Sequence, residues 1–388
     1  MFDIQLGKDI HYIGVDDKTL DLFEGQYVIP NGISYNSYVI SDEKIAVMDT
    51  ADKRVSKEWF ANLRKVLGAR LPDYLVILHM EPDHAANVAE FLRAYPTAKV
   101  VSNTKSFNLL QQFFNDIDLS GRSIEVKDGD ELALGEHILR FVAAPMVHWP
   151  EVMFAYDQKA KVLFSADAFG KFGALDCDED WACEARRYYF NIVGKYGAQV
   201  QNVLKKAALM DIQKIFPLHG PMLTENLDYY LGKYNLWSAY QPEDKGVFIA
   251  YVSIYGHTES AVLQLKKMLT SAGIKTVASD LAREDMAEAL EDAFRYDRLV
   301  LACVTHDAGL MPQMENFLLQ LRDRNYQNRK VALIENGSWA PIAAKKMREI
   351  LEPCKNLTFL ENKLTIKSAL KPADLPQLEA LAKELAVV

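Results

Sequence analysis

Cysteine is scarce in this chain of 388 residues: Cys177, Cys183, Cys303 and Cys354 are the whole complement. None forms a C-x-x-C pair, which excludes a dithiol redox motif and a cysteine-built zinc knuckle. So few thiols fit a reduced, cytoplasmic setting. Long apolar runs are also missing. No stretch of about 18 apolar residues occurs, so no transmembrane helix is expected. The N-terminal MFDIQLGKDIHYIG carries Asp3, Lys8 and Asp9 where a secretory signal needs an apolar core. Basic charge does not dominate. The 44 Lys and Arg stand against 53 Asp and Glu, a formal charge of −9, which speaks against nucleic-acid binding. With 19 Gly and 14 Pro, neither a collagen-like nor a low-complexity chain is expected.

What is present is material for a large core. Apolar residues make up 49% of the chain, with 18 Phe, 18 Tyr and 5 Trp among them, so disorder is not expected. The length suits two or three domains. The polar stretch QPEDKG at 241–246 separates the helical run LDYYLGKYNLWSAY from the apolar run VFIAYV and reads as a linker. The expected domains are therefore residues 1–243 and 247–388.

The second part alternates strand and helix: VFIAYV, then TESAVLQLKKMLTSAG; IKTVASD, then EDMAEALEDAFRY; LVLACV, then ENFLLQLRD; KVALIE, then IAAKKMREILE. This is the pattern of a doubly wound α/β domain with a parallel sheet. The first part is more mixed. SYNSYVI and KIAVMDT flank the turn SDEK as a hairpin, and RVSKEWFANLRKVLGA has helical spacing. Short apolar runs follow, YLVILH, AKVVS, ILRFVAAP, VMFAYD, KVLFSA and IQKIFPLH, and suggest a layered α/β arrangement.

Chemistry-bearing residues collect where these runs end. LHMEPDHAAN places His79, Glu81, Asp83 and His84 after a buried strand and before a helix. His148 follows ILRFVAAPMV, Asp167 follows KVLFSA and His219 follows IQKIFPL. One such residue would be an ordinary loop side chain. Four strand ends that deliver only His, Asp and Glu point to a metal site, at the position where α/β folds place their sites.

These residues resemble the H-x-H-x-D-H pattern of the metallo-β-lactamase superfamily, which implies an αββα sandwich for the first domain. Glu81 stands where its hydrolases carry a second His. That substitution makes the donor set richer in oxygen, which suits iron better than zinc. Glu in this place, fused to a flavodoxin-like domain, resembles the flavodiiron proteins. The resemblance implies two non-haem irons. His79, Glu81 and His148 would hold one, Asp83 and His219 the other, with Asp167 bridging and His84 a further candidate. HGPML matches the family's segment around the last ligand. RRYYFNIVGKYG resembles the segment lining the diiron pocket, where Tyr188 or Tyr189 would offer a hydroxyl to substrate.

In the second domain, SIYGHT follows a strand and opens a helix. Its Ser253, Ile254, Tyr255, Gly256, His257 and Thr258 form a phosphate-binding turn, because backbone N–H groups and the helix dipole face an anion there. By resemblance to flavodoxins, CVTHDAGLMP and ENGSWAP would embrace the isoalloxazine ring through Thr305, His306, Asp307, Gly309, Gly337, Ser338 and Trp339. Cys303-Val304, Asp307 and Ala340-Pro341 depart from the common Ser-Pro, Asn and Gly-Trp. No G-x-G-x-x-G follows a strand, so FMN is expected rather than FAD or NAD. The chain has no rubredoxin module, which would need two C-x-x-C pairs, so electrons are expected from a separate donor, by resemblance a rubredoxin.

The expected function is oxidoreduction, O2 to water or NO to N2O, in a head-to-tail homodimer or dimer of dimers, with no nucleic acid or membrane involved. The competing reading is a zinc-dependent hydrolase with a flavodoxin-like accessory domain.

Overall fold

A computed structural model describes residues 6–387, and the apolar runs of the sequence are its strands. The chain divides into two compact units, one up to Asn235 and one from Leu236 on.

The first unit contains two large sheets. One has six strands in the order Ile10–Tyr12, Tyr38–Ser41, Ile45–Met48, Tyr74–Val76, Lys99–Ser102 and Ser123–Glu125. The other has five, Glu131–Ala133, Ile138–Ala143, Met153–Asp157, Val162–Phe164 and Lys214–Phe216. The hairpin around SDEK forms in the register Ser41↔Ile45 to Tyr38↔Met48. Tyr38 of the first sheet packs its ring 5.4 Å from Phe164 and 5.3 Å from Phe216 of the second, so the core lies between the sheets. The helix Ser56–Leu67 buries Trp59, Phe60, Leu63 and Leu67, an apolar stripe at three- and four-residue spacing. Gly68, at φ 58, follows its last turn.

The run SYNSYVI is not one strand. Ile33–Tyr35 and Tyr38–Ser41 are separate, broken at Asn36 and Ser37. Asn36, fully buried, explains the break. Its amide donates to Pro217 O at 2.9 Å and Gly220 O at 2.8 Å and accepts from Tyr12 Oη at 3.0 Å. Its backbone N–H reaches Leu218 O at 2.8 Å. This one side chain thus ties the first sheet to the loop that carries His219.

The second unit is a parallel sheet in the order Thr276–Asp280, Asp244–Val252, Tyr296–Val304, Arg329–Asn336, with Leu357–Phe359 and Leu364–Ile366 both pairing with Arg329–Asn336. Strand order reverses between the first and third strands in sequence, and a crevice at their carboxyl ends is where such folds bind ligands. The strand Asp244–Val252 starts inside the polar stretch 241–246, with Asp244 held by Lys275 and Arg295 at 2.8 Å each. Arg329, buried, donates to Tyr240 O and Tyr296 O at 2.8 Å each.

Replacing Asn36 with Ala leaves Gly220 O and the Tyr12 hydroxyl without their partner, at about 1–3 kcal/mol per group, and takes one of two donors from Pro217 O, which keeps Tyr38 Oη at 3.0 Å. We expect a loss of about 3 kcal/mol, a fall of roughly 6–12 °C in the melting transition of the first unit by calorimetry. A shift within 1 °C, to order of magnitude nil, would show that Asn36 is not the tie described.

Candidate dinuclear metal site and flavin cleft

Seven side chains from four strand ends meet in the first unit. His79, Glu81, His148 and Asp167 form one group of potential ligands and Asp83, His84 and His219 a second. The two groups share Asp167. Its Oδ2 lies 2.9 Å from His148 Nε2 and 3.4 Å from His79 Nε2. Its Oδ1 lies 3.3 Å from His84 Nε2 and 3.9 Å from His219 Nε2. Glu81 Oε2 completes the first group at 3.1 Å from His79 Nε2 and 3.0 Å from His148 Nε2. Asp83 Oδ2 completes the second at 3.2 Å from both His84 Nε2 and His219 Nε2. Donors about 2.1 Å from one ion stand about 3 Å apart when mutually perpendicular, and both groups fit that spacing.

Electrostatics make the same point. Asp83 and Asp167 are buried, yet no hydrogen bond reaches Asp83 Oδ1, Asp83 Oδ2 or Asp167 Oδ1. Unpaired buried carboxylate oxygens are costly, and a cation removes the cost. Without one, His79, His84 and His148 take the cationic role. Burial alone would depress them, but Asp167, Glu151 and Glu81 carry His79 well above its ordinary pKa. Asp83 and Asp167 outweigh burial at His84 and bring it to about 10, and Asp167 and Glu81 bring His148 to about 9. Against burial, His84 and His219 hold Asp83 low, and His79, His148 and His84 hold Asp167 low.

Further contacts fix the orientations. Glu151 Oε1 accepts from His79 Nδ1 at 2.8 Å and from the Met80 N–H at 3.0 Å, which turns His79 Nε2 toward the cluster. Ser34 O accepts from His219 Nδ1 at 2.7 Å, with the same effect on His219. Asp49 Oδ1 accepts the Leu78 and His79 N–H groups at 2.8 and 3.3 Å. The sequence reasoning missed all three residues. Glu151 carried the one available signal, an acidic residue three positions after His148. Tyr188 is buried with its ring 5.6 Å from that of His219, and its hydroxyl is pushed up by burial and by Asp167. Tyr189 packs against Phe190 and Tyr234, both at 5.1 Å. The helix Trp181–Tyr188 passes here into a π-helical turn, Tyr189–Val193, a form frequent at functional sites. A cleft of about 220 Å³ lined by Phe23, Glu24, Tyr35, Glu81 and Asp83 opens onto the cluster.

In the second unit a cleft of about 480 Å³ lies at the carboxyl ends of the strands. Ser253, Ile254, Tyr255, His257, Thr258, Thr305, His306, Asp307, Gly337, Ser338 and Trp339 line it. Gly256 and Gly309, also expected there, are not on its wall. Gly256, at φ 81, is the N-cap of the helix His257–Ser271, and Gly309 closes the two-residue turn after His306. No side chain caps that helix, and Ser253 Oγ is buried without a hydrogen bond, so a phosphate would find donors waiting. The Asp307 carboxylate is 90% exposed, 3.6 Å from His306 Nδ1. Asn336 and Ser368 also line the cleft and were not foreseen, because both take their places through tertiary contacts.

The fold and the two sites define a class: a metallo-β-lactamase-like domain with a dinuclear metal site, followed by a flavodoxin domain. Comparison with known proteins agrees. The ODP family beta lactamases match residues 33–220 and the flavodoxins residues 249–375. Diflavin flavoprotein A 1 of Synechocystis is 32% identical over 74% of this chain, which spans 51% of that relative's length. The nitric oxide reductase of Moorella thermoacetica is 26% identical, over 97% of this chain and 96% of its own. The crystal structure of the flavodiiron protein from Giardia intestinalis superposes with a TM-score of 0.91 at 25% identity, over 97% of this chain and 94% of that one. The chain thus joins an ODP-type beta-lactamase domain to a flavodoxin domain, and over nearly its whole length it is similar to a flavodiiron protein. Among the described residues, no helix is long and apolar enough to cross a membrane.

Removing the Glu151 carboxylate frees the His79 ring to turn. We expect Glu151→Ala to lower iron affinity about 10–100-fold, by competition with a chelator, and to leave flavin content unchanged. Wild-type iron affinity in that variant would contradict the orienting role.

Proposed function

We propose that this protein reduces O2 to water, NO to N2O, or both, at a diiron centre in residues 1–243, with electrons relayed through FMN in residues 247–388. His79, Glu81 and His148 would hold one iron and Asp83, His84 and His219 the other, with Asp167 shared between them. The observation that carries this reading is the division of the Asp167 carboxylate, Oδ2 toward one pair of imidazoles and Oδ1 toward the other. Three carboxylates and four imidazoles over two ions make an oxygen-rich set that favours iron over zinc. When bound, the irons would offer coordination positions for the diatomic and pass to it the electrons that the flavin delivers from the donor, four for O2 to two waters and two for two NO to N2O.

The chain's own groups supply the rest. Glu151, Ser34 and Asp49 keep the ligands aimed before metal arrives, so little reorganisation is left for the reaction. Phe23 and Tyr35 pack edge-on to His219 at 5.4 and 5.9 Å and wall the cluster with apolar surface, which admits a neutral diatomic and limits water. We assign Tyr188, whose ring lies 5.6 Å from that of His219 and whose hydroxyl is kept protonated by burial and by Asp167, to donate a hydrogen bond to substrate.

Electrons come from a small separate donor of the rubredoxin kind, in a reduced cytoplasmic setting. A head-to-tail homodimer, or a dimer of such dimers, lets each flavin face the partner's metals, and two-fold closure is the commonest assembly.

One set of variants tests these statements. The wild-type protein should carry about two irons and one FMN per chain and consume O2 or NO with a reductase system. Asp167→Ala should keep its flavin, lose the iron pair and consume neither gas. Heterodimers pairing an Asp167→Ala chain with a Thr258→Glu chain, the latter unable to bind FMN, should recover one working site. No recovery would remove the head-to-tail arrangement. Bound zinc with ester or lactam hydrolysis would replace the whole reading by that of a hydrolase.

A further inference from the structure

The cleft of the second unit contains an amide whose orientation is fixed by its neighbours. Asn336, 5% exposed, is the last residue of the strand Arg329–Asn336. Its Nδ2 lies 2.9 Å from Ser368 O and 3.3 Å from Thr258 Oγ1. A backbone carbonyl can only accept, so the amide nitrogen, not the oxygen, faces Ser368. The second proton of that NH2 group is then directed at Thr258. A threonine hydroxyl has one proton and two lone pairs. With one lone pair taken by Asn336, the Thr258 proton has to point elsewhere.

Where it can point is set by the fold. Thr258 is 2% exposed and occupies the first turn of the helix His257–Ser271, beside the uncapped helix start and the unpartnered Ser253 Oγ. Thr258, His257 of the same first turn and Ser253 all line the cleft. We infer that Asn336 is a positioning residue that turns the Thr258 hydroxyl proton toward the phosphate of the flavin nucleotide, and so sets the preference for the phosphorylated cofactor over riboflavin. This rests on the flavin reading given above.

The role is confined to the phosphate end. The Asn336 backbone carbonyl accepts from Thr305 N–H at 2.7 Å, and Gly337 N–H donates to Ile366 O at 3.0 Å, so the ring-side loops are held by main-chain bonds that a side-chain change leaves in place. An aspartate at 336 would accept the Thr258 proton instead of orienting it, and would add a negative charge beside the anion. A leucine of similar volume would release the hydroxyl to rotate.

The test uses the full-length protein stripped of flavin and titrated separately with FMN and with riboflavin, by quenching of flavin fluorescence. The ratio of the two affinities isolates the phosphate contribution, and the riboflavin titration reports whether the cleft is still folded. Asn336→Leu should lower the FMN-to-riboflavin ratio about tenfold, the size of one hydrogen bond to a charged group, and Asn336→Asp about a hundredfold or more. In a Thr258→Val background, Asn336→Leu should change the ratio by less than about twofold, because the hydroxyl it orients is gone. Equal loss of FMN and riboflavin, or an undiminished ratio in Asn336→Asp, would overturn the assignment. A wild-type chain that bound neither flavin would instead overturn the flavin reading beneath it.

Discussion

Asp167 is buried, 1% exposed, and surrounded by four imidazoles. A buried carboxylate in that position has to be balanced by positive charge. Much of the first unit can be understood as the means of delivering that charge from two sides. His79 and His84 follow one strand, Tyr74–Val76, while His148 and His219 arrive from two others, and each carboxylate is within about one ion's reach of a pair of imidazoles. Either ionised histidines or metal ions satisfy the arrangement. Two ions with a shared carboxylate satisfy it without leaving Asp83 and Asp167 oxygens unpaired.

Precision at the site depends on contacts well outside it. The His219 loop is held by Asn36 through two carbonyls, together with Ser34 and the Tyr38 hydroxyl, so a small group of buried polar side chains couples the first sheet to the metal cluster. His79 is turned by Glu151 and its main chain is anchored by Asp49. The same economy operates in the second unit, where Asn336 links the phosphate turn to the segment around Ser368. In each case a side chain that makes no contact with substrate decides the direction in which a functional atom points.

The sequence carried much of this. The parallel strands of the second unit are buried on both faces and read as continuous apolar runs, so VFIAYV, LVLACV and KVALIE were plain to see. The metal ligands were legible because His, Asp and Glu at strand ends are chemically conspicuous. The last strand was not legible, since it is two pieces of three residues, Leu357–Phe359 and Leu364–Ile366, that pair with different parts of one neighbour. Nor was the hairpin Leu22–Phe23 and Tyr27–Val28, whose Phe23 packs on His219: two-residue strands leave no periodicity to detect. Glu151, Asn36 and Asn336 take their roles from partners more than twenty residues away, and no local pattern encodes such a contact.

The central claim is that one carboxylate, Asp167, joins two metal ions into a single centre. Mössbauer spectroscopy of the protein loaded with iron-57 and oxidised tests it directly. A bridged pair should give coupled ferric ions with a diamagnetic ground state at low temperature, in about two irons per chain. Magnetically isolated ferric ions in the wild-type protein would mean that the two groups of ligands act separately, and the bridging assignment would fall.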